Sequence, residues 1–478
     1  MKNLIFKTFV LTTIAITTLF SACKRNADVA PFGNDVEVNN WITEQMKYWY
    51  FWNDKIPATP NTNQTPDKFF DSILYKFDAA ARPDGDRFSW IQESADQLQA
   101  SLAGESKSTG AEFQLYRRNN TDDLGGRILY VLPNTPAAQA GLKRGDLFIN
   151  ATIDGEVMTG SNYSKLLNNG TTYKFAMARY ENAAFVANGE TKQTTAQVIQ
   201  EDPLFLDSVY VRGNSRIAYL VYNQFVHAPN GAKDPLYNQK MDRIFAKFKA
   251  ANVNELVLDL RYNSGGTSTA STNLASLIAK GASSSKVFVK REWNATASPA
   301  LEKQYGKNFF FDYFTDKTEN IGNNLSRVFI LTSTRSASAS ELVINGLKPY
   351  MNVFLIGDKT VGKNVGSITL RDDKKRHNWG LQPIVAKNFN SEGKSDFTAG
   401  FQPNVEVKEL LAQPIQTLGD TRDLLLNEAF FQITGTRTMR RGIAEPDATD
   451  RNQVFSTIER KAGGGNYFID LPVLGRGY

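Results

Sequence analysis

From Val38 the apolar positions Val38, Trp41, Ile42, Met46, Trp49 and Trp52 recur every three to four residues, which predicts an amphipathic helix. Pro57, Pro60 and Pro66 break that pattern, and a second helix is predicted from Pro66 to about Phe77 with Phe69, Phe70, Ile73 and Leu74 turned inward. A short third helix is expected from Ser94 to Leu102. Near residue 108 the periodicity changes. Arg127–Val131 and Leu147–Ile149 read as strands on either side of Pro136-Ala-Ala-Gln-Ala, a short helix that Gly141 ends, and Asn162–Asn168 reads as a further helix. From Arg216 the order is strand (Ile217–Val221), helix (Leu236–Ala251) and buried strand (Glu255–Leu260), the alternation of a mixed α/β sheet. A helix over Ser268–Ala279 comes next, then a polar and aromatic insert at 281–326 that could cover a site. Strand Val328–Leu331, helix Glu341–Tyr350 and strand Val353–Ile356 follow. Strands Ile368–Arg371 and Trp379–Val385 and a last helix over Thr421–Ile433 complete the pattern.

The predicted organisation is therefore multidomain α/β (α+β). It comprises a leader at 1–22, a tether at 23–37, a small helical domain at 38–104, a β-rich domain at 108–200, an α/β domain at 210–435 and a tail at 436–478. The tail is rich in Gly, Arg and polar residues and is expected to be poorly ordered. A length of 478 residues fits about three domains. Hydrophobic and aromatic contents of 41% and 12% suffice for real cores. A net charge of +6, with no basic stripe interleaved with aromatics, argues against a nucleic-acid partner. The one cysteine, Cys23, allows no internal disulfide, and no His/Cys cluster offers a metal site, so no metal or cofactor is expected.

The chemistry concentrates in Ser333–Gly366. The strand Val328–Leu331 runs into Ser336-Ala-Ser-Ala-Ser-Glu341 and then a helix, which places serine hydroxyls at a strand-to-helix turn, expected to be exposed. The helix N–H groups there can hold a developing oxyanion. A serine nucleophile needs a base. The chain has two histidines, His227 and His377, and neither lies in this segment; Lys363 does, 25 residues after Ser338. Free lysine titrates near ~10.4, so a catalytic lysine must be held well below that, which burial among Val361, Gly362 and Val365 would achieve.

These residues resemble the carboxy-terminal processing (tail-specific) serine proteases, whose core motif reads S-A-S-A-S-E followed by G-K. The resemblance runs over roughly residues 100–435 and implies a crotonase-like (ClpP/crotonase) protease domain. It gives Ser338 the role of nucleophile and Lys363 that of general base, with Ser336 and Ser340 as competing nucleophiles. Asp259-Leu-Arg-Tyr-Asn-Ser-Gly-Gly266 matches the family's D-L-R-x-N-x-G-G. By resemblance, Gly265 or Gly266 supplies one oxyanion N–H and Ala339 the other. Gly400-Phe-Gln-Pro-Asn-Val405 resembles a further motif, with Asn404 in place of its aspartate. Ser367 stands four residues after Lys363, where the Ser-Lys branch often has a glutamine that orients the lysine. It is the candidate support here.

Leu132–Asp146, L-P-N-T-P-A-A-Q-A-G-L-K-R-G-D, resembles a bacterial PDZ domain. That implies a peptide groove beside Gly110, Ala111, Glu112 and Phe113, where free backbone N–H groups capture a chain-terminal carboxylate, with Asn162–Asn168 as the groove helix. Lys2 and Lys7, an apolar stretch from Thr8 to Phe20, and Ser21-Ala22 read as a signal peptide. Cys23 directly after them resembles a bacterial lipobox. The combined expectation is an envelope serine peptidase acting on polypeptides, lipid-anchored through Cys23 and facing the periplasm from the outer membrane. The rivals are a non-catalytic peptide-binding lipoprotein of the same fold and an ester hydrolase using the same serine.

Overall fold

The structure, a computed structural model, describes residues 35–118, 121–181, 184–229, 232–411, 414–436, 453–461 and 467–470. The leader and Cys23 lie outside them. Helix α1 (Asp35–Trp49) starts inside the expected tether, with Asp35 and Glu37 in its first turn and Lys47 in its last, where they complement the helix dipole. Its apolar stripe Val38, Trp41, Ile42, Met46 and Trp49 is buried. Helix α2 (Pro66–Ser72) is shorter than the periodicity suggests, because the chain after it turns back to pair Lys76 with Asp86. Strand β1 (Trp90–Gln92) and helix α3 (Ala95–Leu102) complete the N-terminal module. It shares its core with Val365, Leu381 and Ile384, which come from the last third of the chain.

The middle module contains β2 (Glu105–Ser108), β3 (Ala111–Arg117), β4 (Leu124–Val131), α4 (Pro136–Gln139), β5 (Leu147–Ile153), β6 (Glu156–Val157), α5 (Tyr163–Asn169), β7 (Thr172–Glu181), β8 (Ala184–Thr195) and β9 (Gln197–Gln200). Strands β3, β4, β5, β7 and β8 form an antiparallel sheet around Phe113, Phe148 and Phe175, whose rings meet edge to face.

The third module opens with the hairpin β10 (Leu204–Arg212) and β11 (Ser215–Tyr222). Helix α6 (Leu236–Ala250), β12 (Glu255–Asp259), β13 (Gly266–Thr267), α7 (Ser268–Ile278), β14 (Val287–Trp293), α8 (Ser298–Tyr305), β15 (Phe311–Tyr313) and β16 (Arg327–Thr332) follow. Then come α9 (Ala339–Leu347), β17 (Asn352–Gly357), β18 (Val365–Ser367), β19 (Leu370–Arg371), β20 (Gly380–Gln382), β21 (Ile384–Phe389), β22 (Val405–Glu406) and α10 (Leu424–Thr434). One sheet has the order β10-β11-β12-β16-β17-β22, parallel from β11 onward. It is covered on both faces, by α6, α7 and α9 on one side and α10 on the other. Leu256 and Leu258 therefore enter one core while Val257 enters the other, the period of two expected of a strand. The 281–326 insert is built into the third module. Its β14 joins β21 in a second sheet, and Phe288 packs against Gly346 of α9.

The C-terminal stretch departs most from expectation. Two parts of it are built into sheets: β23 (Gln453–Ser456) adds antiparallel to β3, and β24 (Tyr467–Phe468) lies between β13 and β18. Ile458, between them, is fully buried.

Candidate active site

The parallel register decides where the site lies. Asp259 of β12 pairs with Leu331 of β16, and Thr332 pairs with Gly357 of β17. The loops that leave these three strands carry Gly265, Ser338 and Lys363, so all three depart from one edge of the sheet, at the carboxyl ends of its strands. That is where open α/β sheets bind ligands.

Ser338 is the N-cap residue of α9, with φ 61° and ψ −111°. A non-glycine residue in that conformation costs on the order of 1–3 kcal/mol and persists only where its surroundings impose it. The imposing group is Glu341. Its buried carboxylate accepts from the Ser338 N–H at 2.9 Å, the Lys363 N–H at 2.7 Å, the Gly362 N–H at 2.6 Å and the Thr360 hydroxyl at 2.6 Å. One side chain thus ties the serine turn to the lysine loop. Burial raises the Glu341 pKa, and these four hydrogen bonds oppose the rise.

The three serines of the motif are not equivalent. Ser336 Oγ donates to Leu260 O at 2.8 Å, and Ser340 Oγ donates to Asn263 O at 2.9 Å, so both hydroxyls are spent on holding the 260–263 loop. Ser338 Oγ is buried and has no hydrogen-bond partner among the described residues, Lys363 Nζ included. The serine expected at an exposed turn is 1% exposed.

Lys363 is likewise 1% exposed. Burial holds its pKa well below the ordinary lysine value; Asp86 and Glu341 oppose that shift and Arg87 adds to it. Residues of the N-terminal module reach the amine. Lys363 Nζ sits 4.7 Å from the centre of the Phe88 ring, and Arg87 Nη2 donates to Gly362 O at 2.6 Å and Thr398 O at 2.9 Å. Asp86 is held by the Tyr50 hydroxyl at 2.9 Å and by the Phe88 and Ser89 N–H groups. Gly362 has φ +92°, and a Cβ there would meet Thr398 O at 2.3 Å, so only glycine brings the chain this close before the lysine. Glu341 and the Asp86-Arg-Phe88 stretch escaped the sequence reading. A glutamate three positions into a helix that begins at a serine was the visible sign of the first.

Of the two glycines, the Gly265 N–H is already bonded to Asn263 Oδ1 at 2.9 Å. Gly266 has φ +138°, and a Cβ on it would lie 2.1 Å from Phe225 O. Ala339 is the first residue of α9, whose leading N–H groups have no partner within the helix. Ser367 Oγ accepts from the buried Gln382 Nε2 at 3.0 Å, so a glutamine does reach this spot, from β20 rather than from four residues after the lysine. His227 Nδ1 lies 3.5 Å from Thr267 Oγ1, next to Gly266. His377 packs against Trp41 and is buried, and burial lowers its pKa.

The Arg261 guanidinium behind the Gly-Gly loop is fully buried among Asp259, Glu409 and Asp423. Arg144 of the middle module enters the same cluster, pairing with Glu409 and donating to the Tyr262 hydroxyl at 2.6 Å. The Gly265–Gly266 loop is thereby locked to the middle module. In that module the expected free N–H groups are taken. Gly110 N–H bonds Ser108 Oγ, Ala111 N–H bonds Thr109 Oγ1 and Phe113 N–H bonds Thr457 Oγ1; the Thr457 hydroxyl reaches Glu112 as well. Burial raises the Glu112 pKa, with Lys461 opposing. Among the described residues there is no metal-binding group of three His, Cys, Asp or Glu side chains, and no helix long and apolar enough to cross a membrane.

The sequence matches the model of peptidase family S41 over residues 216–407 and that of the peptidase S41 N-terminal domain over residues 37–90. It is 24% identical over 339 residues to a carboxy-terminal-processing protease of Bartonella bacilliformis, a match covering 69% of this chain and 68% of that one. It is 22% identical over 327 residues to a protein of Staphylococcus haemolyticus assigned as a CtpA-like serine protease, covering 66% and 56%. A crystal structure of a Bacteroides fragilis protein assigned to the S41 proteases superposes with a TM-score of 0.67 at 28% identity, covering 83% of this chain and 97% of that one. The mixed α/β fold is thus that of a serine-type peptidase. The chain belongs to peptidase family S41.

Proposed function

We propose that this peptidase is an endopeptidase cutting polypeptides near their C-termini, with Ser338 as nucleophile and Lys363 as general base. The observation that carries the assignment is the contrast among the serines: Ser336 and Ser340 are committed to backbone carbonyls, while Ser338 holds an unpartnered hydroxyl at a strained helix start. Lys363, whose pKa burial holds well below the ordinary lysine value, takes the Ser338 proton as Oγ attacks the peptide carbonyl, and returns it to the leaving amine. The oxyanion is received by the Ala339 N–H and the Gly266 N–H, Gly265 being engaged by Asn263. Ser367, backed by Gln382, supports the lysine side of the site.

The third module is read as crotonase-like and the middle module as a PDZ domain that presents substrate ends to Ser338. Helix α5 shares a core with β3 through Leu166, Leu167 and Phe113, which supports the latter reading. The protein is proposed to be anchored by lipid on Cys23, at the outer membrane and facing the periplasm. A serine-directed fluorophosphonate followed by mass spectrometry tests the nucleophile. The modification is expected on Ser338 and absent from Ser338→Ala; modification of Ser336 or Ser340 would refute the assignment.

A further inference from the structure

We propose that residues 467–470 are a tethered occupant of the substrate slot. The chain's own C-terminal region lies where a substrate strand would add, and cleavage of other polypeptides requires it to leave. The inference rests on the assignment of Gly266 and Lys363 to the catalytic site. Strand β24 lies between β13 and β18 and runs parallel to both: Gly266 pairs with Tyr467, Thr267 with Phe468, and Ser367 with Phe468. The Ile469 N–H donates to Ser367 O at 3.0 Å. One neighbour is therefore the strand that opens with the oxyanion glycine, and the other is the strand that begins two residues after the base. Without β24 these strands would face each other across a gap of about 10 Å, two strand spacings, with both facing edges unpaired. Such a slot accepts an extended peptide through main-chain hydrogen bonds. The near-complete burial of Ser338 and Lys363 fits a cleft that is already filled.

The occupant is held at both ends. Phe468 and Ile469 are buried, and the Asp470 carboxylate accepts from Ser268 Oγ at 3.1 Å and from the N–H of Thr269 at 2.9 Å, at the start of α7, as well as from the Thr269 hydroxyl. Upstream, Ile458 is fully buried and Lys461 is paired with Glu201. A strand tethered so closely meets its slot at an effective concentration of ~1 mM or more, so four residues suffice to keep it filled. The same contacts state what the slot accepts: an extended peptide with two large apolar residues followed by an acid.

Three forms test this: wild type, full-length Ile469→Asp/Asp470→Lys, and a chain ending at Lys461, which retains the Ile458 anchor. For each, kcat/KM on an internally quenched peptide and the rate of fluorophosphonate labelling at Ser338 are measured. Both altered forms should cleave at least about tenfold faster than wild type. A synthetic peptide of residues 466–471 should inhibit the shortened form competitively. Unchanged cleavage in both altered forms, with Ser338 still labelled, would overturn the proposal while leaving the nucleophile assignment intact. Absence of labelling at Ser338 in every form would remove the catalytic premise and the proposal together. Loss of the C-terminal residues from wild type but not from Ser338→Ala, read as intact mass, would make the segment a self-cleavage substrate and also overturn it.

Discussion

At the scale of single residues the site depends on one carboxylate. Glu341 holds the backbone of Ser338, the proposed nucleophile, and that of Lys363, the proposed base, through four accepted hydrogen bonds. Glutamine keeps its shape but turns two acceptor sites into donors facing N–H groups. Glu341→Gln should therefore lower kcat on the order of 10²-fold with little change in KM, since misplacing reacting groups by about 1 Å has that effect. Steady-state kinetics check it, and wild-type kcat would contradict the positioning role. A buried amine is likewise a cost to the fold that function retains. Lys363→Met should be inactive and yet melt at a higher temperature than wild type in a thermal scan, because it removes a desolvated ionisable group without leaving a hole. An inactive variant that melts lower would show that the lysine is structural.

At the scale of elements, the Asp86-Arg-Phe88 stretch ahead of β1 sets the electrostatics of a lysine more than 270 residues away in sequence. Asp86 favours the ammonium and Arg87 disfavours it. Asp86→Asn should move the acid limb of the kcat/KM profile to lower pH, and Arg87→Gln should move it to higher pH, each by on the order of one unit or less. Shifts of the same sign would refute the arrangement. Nothing in the linear sequence announces this contact. The serine–lysine segment was legible because it is contiguous: strand, small-residue turn, helix and strand, with hydrophobic periods that change where the elements do. Boundaries such as the end of α2 were not, because the Lys76–Asp86 pairing that stops the helix is tertiary. The C-terminal strands were hidden for a related reason. Pairing through the backbone leaves little side-chain signature in Gln453–Ser456 or Tyr467–Phe468, and their Gly- and Arg-rich surroundings read as a tail.

At the scale of the whole molecule the modules are joined through buried charge. Arg144 from the middle module and Arg261 from the loop after β12 share Glu409 and Asp423. Burial opposes ionisation of Glu409, but the two guanidiniums prevail and hold its pKa at about 2. A carboxylate depressed in the folded state contributes stability that is complete above its ordinary value of ~4.3 and is lost as pH falls toward its folded value. Urea midpoints should therefore fall between about pH 4.3 and pH 2. Arg144→Met, which leaves a buried carboxylate underpaired, should cost about 3–5 kcal/mol at neutral pH and flatten that acid dependence. An unchanged midpoint would show that the modules are joined by other contacts.

In the proposed mechanism Lys363, its pKa depressed by burial, activates Ser338. The most direct test is the pH dependence of kcat/KM for wild type and Lys363→Arg, with His227→Ala as reference, because His227 is the histidine near Gly266. Arginine keeps the charge but cannot give up its proton. Wild-type activity should rise through an apparent pKa well below ~10.4, His227→Ala should keep the same limb, and Lys363→Arg should show no activity at any pH. Substantial activity in Lys363→Arg, with the limb lost in His227→Ala, would contradict it.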